Sequence, residues 1–363
     1  MGRFRQSDFE CRQRRLRAAL RDEELGGLLV FAPKNMEYLT GFTGGEGAVL
    51  VTADRATVVS DFRYRTQVQQ EAPWASYAEI EEKLTDLLPG LLATCAGTVG
   101  IEPGFITLAQ WRRIEPAFKG AQFRIVDDVV EGLRRLKQPA EVEAIREASK
   151  LLVGVFSALA LMNVVGLSEV EVALELESWA RRHGSGLVPF EYIVAAGVRG
   201  AMPHGTASKA VIDAGRLLVV DIGTSIDGYA SDMTRTFATG PLGEEETLIY
   251  SVVKRAQEAG RAAVGPGVSC ADVDAAARDV IKAAGYADSF RHGLGHGVGL
   301  EVHEAPRVSG MSEDTLAEGM VVTIEPGIYL PAKGGVRIED TVVVTETGIE
   351  VLTEFERGLI TLG

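Results

Sequence analysis

Two domains are expected from this chain: an α/β domain over residues 1–135, followed by an α+β domain over residues 136–363 built from two related halves. Three observations point there. A length of 363 residues with 46% hydrophobic content is enough for two separate cores. The first third alternates helix-like and strand-like segments, the mark of a layered α/β unit. The remainder repeats itself at a nearly constant offset.

Taken in order, a helix near residues 8–23 mixes charged and apolar residues and reads as exposed. The strand "GGLLVF" follows, then a turn-rich "APKNMEYLTGFTGGEG", then strands "AVLVT" and "ATVVSD". An amphipathic "EEKLTDLLPGLLATC" and a short strand "TVGIE" complete the first unit. Around "VEGLRRLKQPAEVEAIREASK" the pattern turns helical and strongly charged. Pro139 stands where a helix begins, which sets the boundary near residue 135. The run "LLVGVFSALALMNVVGL", Leu151 to Leu167, is 17 residues long with Ser157 and Asn163 inside it. That is the lower limit for a membrane span, and the run reads as a buried core helix.

The repeat comes next. "GLSEVEVALELESWARRHG" (166–184) and "GVSCADVDAAARDVIKAAG" (267–285) share a glycine, a helix-start serine with an acid three residues on, and a closing glycine, all at an offset of 101. "VVDIG" (219–223) and "TIEPG" (323–327) then place an acid before a glycine at a strand end, at an offset of 104. Two such halves packed together bring the acids to a shared centre.

Composition narrows the function. A formal charge of -14 repels a phosphate backbone, which excludes general nucleic-acid binding and favours a small molecule or peptide. Cys11, Cys95 and Cys270 are too scattered for a disulfide framework or a Cys-x-x-Cys metal site, so a reducing cytoplasm is the expected setting. The N-terminal stretch has no continuous apolar segment and does not read as a secretory signal.

"VVDIGTSIDGYASDMTRT" (219–236) carries the chemistry. Asp227 and Gly228 are the favoured pair for a tight hairpin, so partners sum to 455 and Asp232 faces Gly223. Asp221 then shares a face with Asp232, roughly 7 to 8 Å away diagonally. Gly223, with no side chain, is expected to leave the space beside them open. A solvated strand face bearing two aspartates is the alternative, but the flanking "RLLVV" and "MTRTF" speak for a packed sheet.

In "RHGLGHGVGLEVHE" (291–304) glycines flank His296, freeing its imidazole for a ligand. A lone histidine is more often a satisfied core residue. Here His292, His296 and His303 fall within 12 residues of a chain that has five histidines. In "TIEPGIYLPAKGGVRIED", Glu325 closes an apolar run, Glu339 lies in a second strand, and Arg337 stands two residues before it, placed to hold or neutralise an acid. Asp221, Asp232, His296, Glu325 and Glu339 offer four carboxylates and one imidazole, a set suited to Mn, Co, Fe or Zn. Two divalent ions cancel four negative charges, so a pair about 3.5 to 4 Å apart is expected to activate water for hydrolysis.

These segments resemble the pita-bread metallopeptidase family, which contains methionine aminopeptidase, aminopeptidase P and prolidase. The matches are "DIGTSIDGYASDMTRTF", "HGLGHGVGLEVHE", "TIEPGIY" and "GGVRIEDTVVV", and they cover all five ligand positions in order. "NMEYLTGF" and "SDFRYRTQ" resemble the N-terminal domain of the Xaa-Pro peptidases, so the likeness spans nearly the whole chain. It implies a pita-bread catalytic domain with an internal pseudo-twofold repeat, and a homodimer whose first domain lies near its neighbour's site.

The resemblance makes Asp221 and Asp232 ligands of one metal and His296 a ligand of the other. Glu325 and Glu339 are shared between them, and Glu325 also takes the proton of the attacking water. His204, in "AMPHGTAS", and His303 match substrate-side histidines. Arg337 matches an arginine that steadies the last glutamate, Tyr329 matches a tyrosine near the site, and His292 resembles a recurring neighbour of the metal histidine. Tyr329, Arg337 and His292 are thus expected around the substrate, whereas His183 reads as a solvated helix cap.

The implied cofactor is two divalent ions, manganese first, with cobalt, zinc or iron as alternatives. The implied reaction is hydrolysis between an N-terminal residue and a following proline, with no nucleic acid or membrane as partner. Aminopeptidase P takes longer peptides; prolidase takes dipeptides and must grip their carboxylate with a basic group, and Lys333, on the short connection from Glu325 to Glu339, could serve either pattern. Longer peptides are slightly favoured at this point. A non-catalytic binding protein on the same fold, or creatinase-like chemistry without metal, is opposed by the intact carboxylates.

Overall fold

The computed structural model describes residues 3–362. The chain divides into two compact units, Met1–Arg134 and Arg135–Gly363.

The first unit holds helices α1 (Gln6–Asp22), α2 (Pro33–Thr40), α3 (Arg65–Glu71), α4 (Leu84–Leu92), α5 (Leu108–Ile114) and α6 (Val129–Arg134). Its strands β1 (Gly27–Val30), β2 (Ala48–Thr52), β3 (Ala56–Asp61), β4 (Ser76–Ile80), β5 (Val99–Ile101) and β6 (Phe123–Ile125) form one sheet in the order β4-β3-β2-β1-β5-β6. β2 runs antiparallel to β1 and β3, and the other neighbours are parallel. α1 is less exposed than its charge pattern implies. Phe9, Leu16 and Leu20 are buried, and Arg12 is 1% exposed with its guanidinium over the rings of Phe9 and Tyr38. The turn-rich segment contains α2. Pro33 occupies its first turn, where a missing N–H is harmless, and Gly41 ends it at φ 85°. The residues that read as turns are the helix's two ends.

The second unit holds α7 (Pro139–Leu159), α8 (Glu169–Arg182), α9 (Glu244–Ala263) and α10 (Cys270–Ala283). Its strands are β7 (Ile193–Ala196), β8 (Leu217–Ile226), β9 (Tyr229–Ala238), β10 (Gly295–Gly297), β11 (Glu304–Val308), β12 (Val321–Ile324), β13 (Gly327–Leu330), β14 (Gly334–Arg337), β15 (Asp340–Val344) and β16 (Ile349–Val351). They form an antiparallel sheet β7-β8-β9, another in the order β11-β10-β12-β15-β16, and the hairpin β13-β14.

The repeat is built as the serines and glycines imply. Ser168 and Ser269 accept from Glu171 N and Asp272 N, and the two helices give way at Gly184 (φ 103°) and Gly285 (φ 87°). The apolar run Leu151–Leu167 is not one helix. α7 stops at Leu159, Leu161 is 89% exposed, and Gly166 turns the chain at φ 89°. Among the described residues no helix is long and apolar enough to cross a membrane.

Each helix pair covers one face of one sheet. Leu152, Phe156 and Leu176 pack against Leu218, Val220, Ile222, Met233 and Phe237. Val253, Ala256, Val273 and Ala277 pack against Val322, Ile324 and Val342. Side chains alternate along a strand, so burying Val220 and Ile222 turns Asp221 to the other face, and burying Val322 and Ile324 does the same for Thr323. The uncovered faces meet along β9: Glu339 N donates to Thr234 O at 3.0 Å, and Thr341 Oγ1 to Asp232 O at 2.7 Å.

Candidate metal centre

Asp227 (φ 49°) and Gly228 (φ 82°) both adopt the left-handed conformation of a tight hairpin turn, and Gly223 pairs with Asp232, the register the Asp-Gly pair dictates. Asp221 pairs with Thr234, so Asp221, Asp232 and Thr234 share the face turned from the core. The space beside Gly223 is filled, contrary to expectation. A Cβ there would lie 2.5 Å from Pro189 Cγ and 2.8 Å from Phe190 Cε1. The segment ahead of β7 thus walls this side, because only glycine lets it approach. Gly223→Ala is expected to cost about 1–3 kcal/mol from overpacking, read from the urea unfolding midpoint.

Gly295 does the same for the other half. A Cβ there would lie 1.9 Å from Thr323 O, so only glycine lets β10 press against its neighbour and present His296. His296 Nδ1 lies 3.1 Å from Gly297 O, which can only accept, so Nδ1 carries a proton and Nε2 faces the carboxylates. Nε2 is 3.2 Å from Glu325 Oε1 and 3.8 Å from Asp232 Oδ2. Burial opposes the imidazolium, but the hydrogen bond and charge of Glu325 outweigh it and raise the His296 pKa. Burial also opposes the Glu325 carboxylate, yet His296, with help from His292 and Arg337, brings that carboxyl down to about 2.

Glu339 falls between β14 and β15 rather than inside a strand, and its Oε2 accepts from Thr234 Oγ1 at 2.7 Å. Asp232 and Glu339 are 5% and 2% exposed. Burial first, and then the neighbouring carboxylates, push both well above the ordinary range. Arg337 counters this, but not where expected. Its Nη2 donates to Asp221 Oδ2 at 2.5 Å, and it reaches Glu339 only through Thr234 Oγ1, at 3.0 Å from Nε. β9 runs alongside and places Thr234 between them.

Arg337 Nη1 also donates to Tyr329 OH at 2.8 Å and Pro203 O at 3.2 Å. Tyr329 OH lies 3.1 Å from His292 Nε2, while His292 Nδ1 donates to Gly293 O at 2.8 Å. Burial lowers the His292 pKa. Arg337 and Tyr329 are buried, so this chain of three residues expected around the substrate lies packed beside the carboxylates. His303 is exposed, edge-on to His296 with ring centres 4.3 Å apart. Its pKa is lowered by the partial loss of water around the ring against its neighbours, then by His296, with a smaller contribution from His204, which is also exposed.

The residues fit a cation. Ligand atoms of Asp232, His296 and Glu339 lie within 4.8 Å of one another. Asp221 Oδ1, Asp232 Oδ1 and Glu339 Oε1 are buried without a hydrogen-bond partner. A buried carboxylate oxygen left unpaired is costly, and a divalent ion would satisfy several at once.

Two basic residues differ in what they have to pair with. Lys333 is taken up by Glu245, 2.7 Å away at the surface. Arg307 pairs with His296 across the β10–β11 ladder, so both side chains leave the sheet on the same side. It is exposed, with no hydrogen bond or ion pair among the described residues. Only the strand register reveals it.

Two helix-backed halves meet over the carboxylates and the imidazole, and the family and relatives that match the chain identify it as a metallo-exopeptidase. It belongs to metallopeptidase family M24, whose model matches residues 143–346, while the Creatinase/Prolidase N-terminal domain matches residues 12–136. The chain is 37% identical over 342 residues to the Xaa-Pro dipeptidase of Pyrococcus furiosus, covering 93% of this chain and 96% of that one. Among solved structures it resembles the Xaa-Pro dipeptidase from Bacillus anthracis, with a TM-score of 0.94 and 36% identity over 98% of this chain and 100% of the other. It also resembles the X-Pro aminopeptidase from Thermotoga maritima MSB8, with a TM-score of 0.87 and 34% identity over 95% and 99%.

Proposed function

We propose that this protein is an Xaa-Pro dipeptidase that uses two divalent ions held by Asp221, Asp232, His296, Glu325 and Glu339. The observation that carries the metal reading is the set of three unpartnered, buried carboxylate oxygens on Asp221, Asp232 and Glu339. When bound, the ions supply Lewis acidity and make a water nucleophilic at neutral pH. Glu325 would accept a proton from the attacking water, and the lowered pKa of His303 keeps its ring neutral, able to donate a hydrogen bond to a developing oxyanion. His204, on the loop between β7 and β8, would serve the scissile peptide as the second substrate-side histidine. A proline nitrogen offers no N–H, so recognition falls to the ring's shape and the peptide's two ends.

The sequence leaned slightly towards longer peptides, but support now favours dipeptides. Relatives similar over nearly the whole chain are named Xaa-Pro dipeptidases, and Arg307 offers an uncommitted guanidinium on the His296 side of its ladder. A guanidinium there suits the free carboxylate of a dipeptide. Purified protein supplied with Mn is expected to turn over an Xaa-Pro dipeptide faster than an Xaa-Pro-Yaa tripeptide. Arg307→Met is expected to raise KM for the dipeptide by roughly tenfold, the loss of one charge-assisted contact, with little change in kcat. Faster turnover of the tripeptide, with Arg307→Met indifferent, would return the assignment to an aminopeptidase.

A further inference from the structure

His204 sits on an exposed loop, and no hydrogen bond of its side chain is present among the described residues. Something else must set its ring. The loop leaves β7 through a short turn, Gly197–Ala201, and returns at Ser208. Both ends are tied to one carboxylate. Glu169, the first residue of α8, has a side chain with 0% exposure. Its Oε1 accepts from Ala196 N at 2.9 Å. Its Oε2 accepts from Arg199 Nε at 2.8 Å, Ser208 N at 3.0 Å and Ser208 Oγ at 2.7 Å. Arg199 then spans the loop, donating from Nη2 to Thr206 O at 2.7 Å. On the other flank Arg337 holds Pro203 O at 3.2 Å, one residue before His204.

We infer that Glu169 and Arg199 form a clasp that positions His204 for catalysis, a deepening that rests on the reading of His204 as a substrate-side residue. A buried carboxylate with four donors is stable only in this loop conformation, since opening either end strands a charge in the interior. The other half uses the same device. Asp274 on α10 pairs with Arg278 at 2.7 Å and accepts from Leu294 N at 3.0 Å, while Arg278 donates to Phe290 O at 2.8 Å and His292 O at 2.9 Å. That clasp holds the segment feeding His296. Each half thus sets a buried acid, paired with a partly exposed arginine, on the loop that delivers a histidine.

Glu169→Gln keeps the shape but sets an amide N–H₂ against donors. It is expected to lower kcat roughly tenfold to a hundredfold, the cost of misplacing a catalytic group by about 1 Å, with KM little changed. In a His204→Ala background the same substitution is expected to change kcat by less than twofold, because the clasp acts through that ring. Arg199→Met, which leaves Glu169 three donors, repeats the cycle if Glu169→Gln folds poorly. An activity-free readout runs in parallel: with five histidines in the chain, isotope-labelled imidazole signals are few enough to assign by His204→Ala. The His204 signal is expected to broaden or split in both clasp variants. A full loss of kcat from the clasp variants in the His204→Ala background, or an unmoved His204 signal, overturns the clasp alone. Native kcat in His204→Ala overturns the reading beneath it as well.

Discussion

Replacing Glu325 by glutamine will lower kcat on an Xaa-Pro dipeptide by on the order of a thousandfold, within the range seen when a general base is removed. The amide fits the same space, so the fold is expected to hold. What it loses is the charge and lone pair 3.2 Å from His296 Nε2. A carboxyl brought down to about 2 is ionised at every pH where the protein works, but it is also a weak base. That depression depends on His296 donating to Glu325. A histidine whose Nε2 lone pair is given to a cation cannot donate there, and the carboxyl returns toward the range where it can accept a proton. Glu325→Asp, with the carboxylate withdrawn by one methylene, should recover part of the rate if proton transfer is the larger share of the loss. The measurements are kcat and bound metal for both variants. Activity within tenfold of the native protein in Glu325→Gln would remove Glu325 from the chemistry.

The centre was legible wherever a local rule forces a non-local consequence. An Asp-Gly turn dictates its own register, and that alone puts Asp221 and Asp232 on one face. The glycines around His296 marked a close approach, but to neighbouring strands rather than to a ligand: a Cβ at Gly295 would meet Thr323 O and one at Gly297 would meet Ala305 O. The self-similar serine caps mark two halves, and two halves need a seam. What stayed hidden depends on chains meeting from far apart. Thr234 reads as an ordinary strand residue until β9 is seen beside Glu339, 105 positions later. Arg235, 2% exposed, bonds to Asp340 at 2.8 Å, and Asp340 also takes Gln257 and Arg357, a buried network that no spacing discloses. Lys333 shows the converse. Its position in the Glu325–Glu339 connection suited a carboxylate grip, but a charge's partner is decided by which surface is near, and there that surface is Glu245. The emptiness expected beside Gly223 failed for a related reason: a missing side chain is an invitation to close packing as much as to a ligand.

Without metal, Asp232→Asn is expected to be more stable than the native protein, and with saturating Mn less stable. Both signs follow from the same crowding. Burial and the charges of Glu339, Asp221 and Glu325 raise the Asp232 pKa well above its ordinary value, so the folded state holds a proton that the unfolded chain releases. A raised carboxyl contributes its full stability below the unfolded pKa, about 4, and loses it as pH rises through the folded value. Metal-free native protein therefore weakens as pH climbs out of the carboxylate range, by up to about 1.4 kcal/mol per pH unit for each such proton. Glu339 acts in the same direction. Glu325, brought down to about 2, acts oppositely, losing its contribution only as pH falls below about 4, so it is silent above that. Asparagine has no proton to lose, and its N–H₂ can donate to the carboxylates around it. The gap between variant and native protein should thus widen with pH when a chelator is present. Divalent ions reverse it, because they bind only the deprotonated set and stabilise the folded state that holds them, an effect that grows as pH rises. Urea midpoints at several pH values, with chelator and with Mn, read both trends. If Asp232→Asn were the less stable form at every pH in chelator, the carboxylate would be an ordinary structural acceptor rather than a group held ready for a cation.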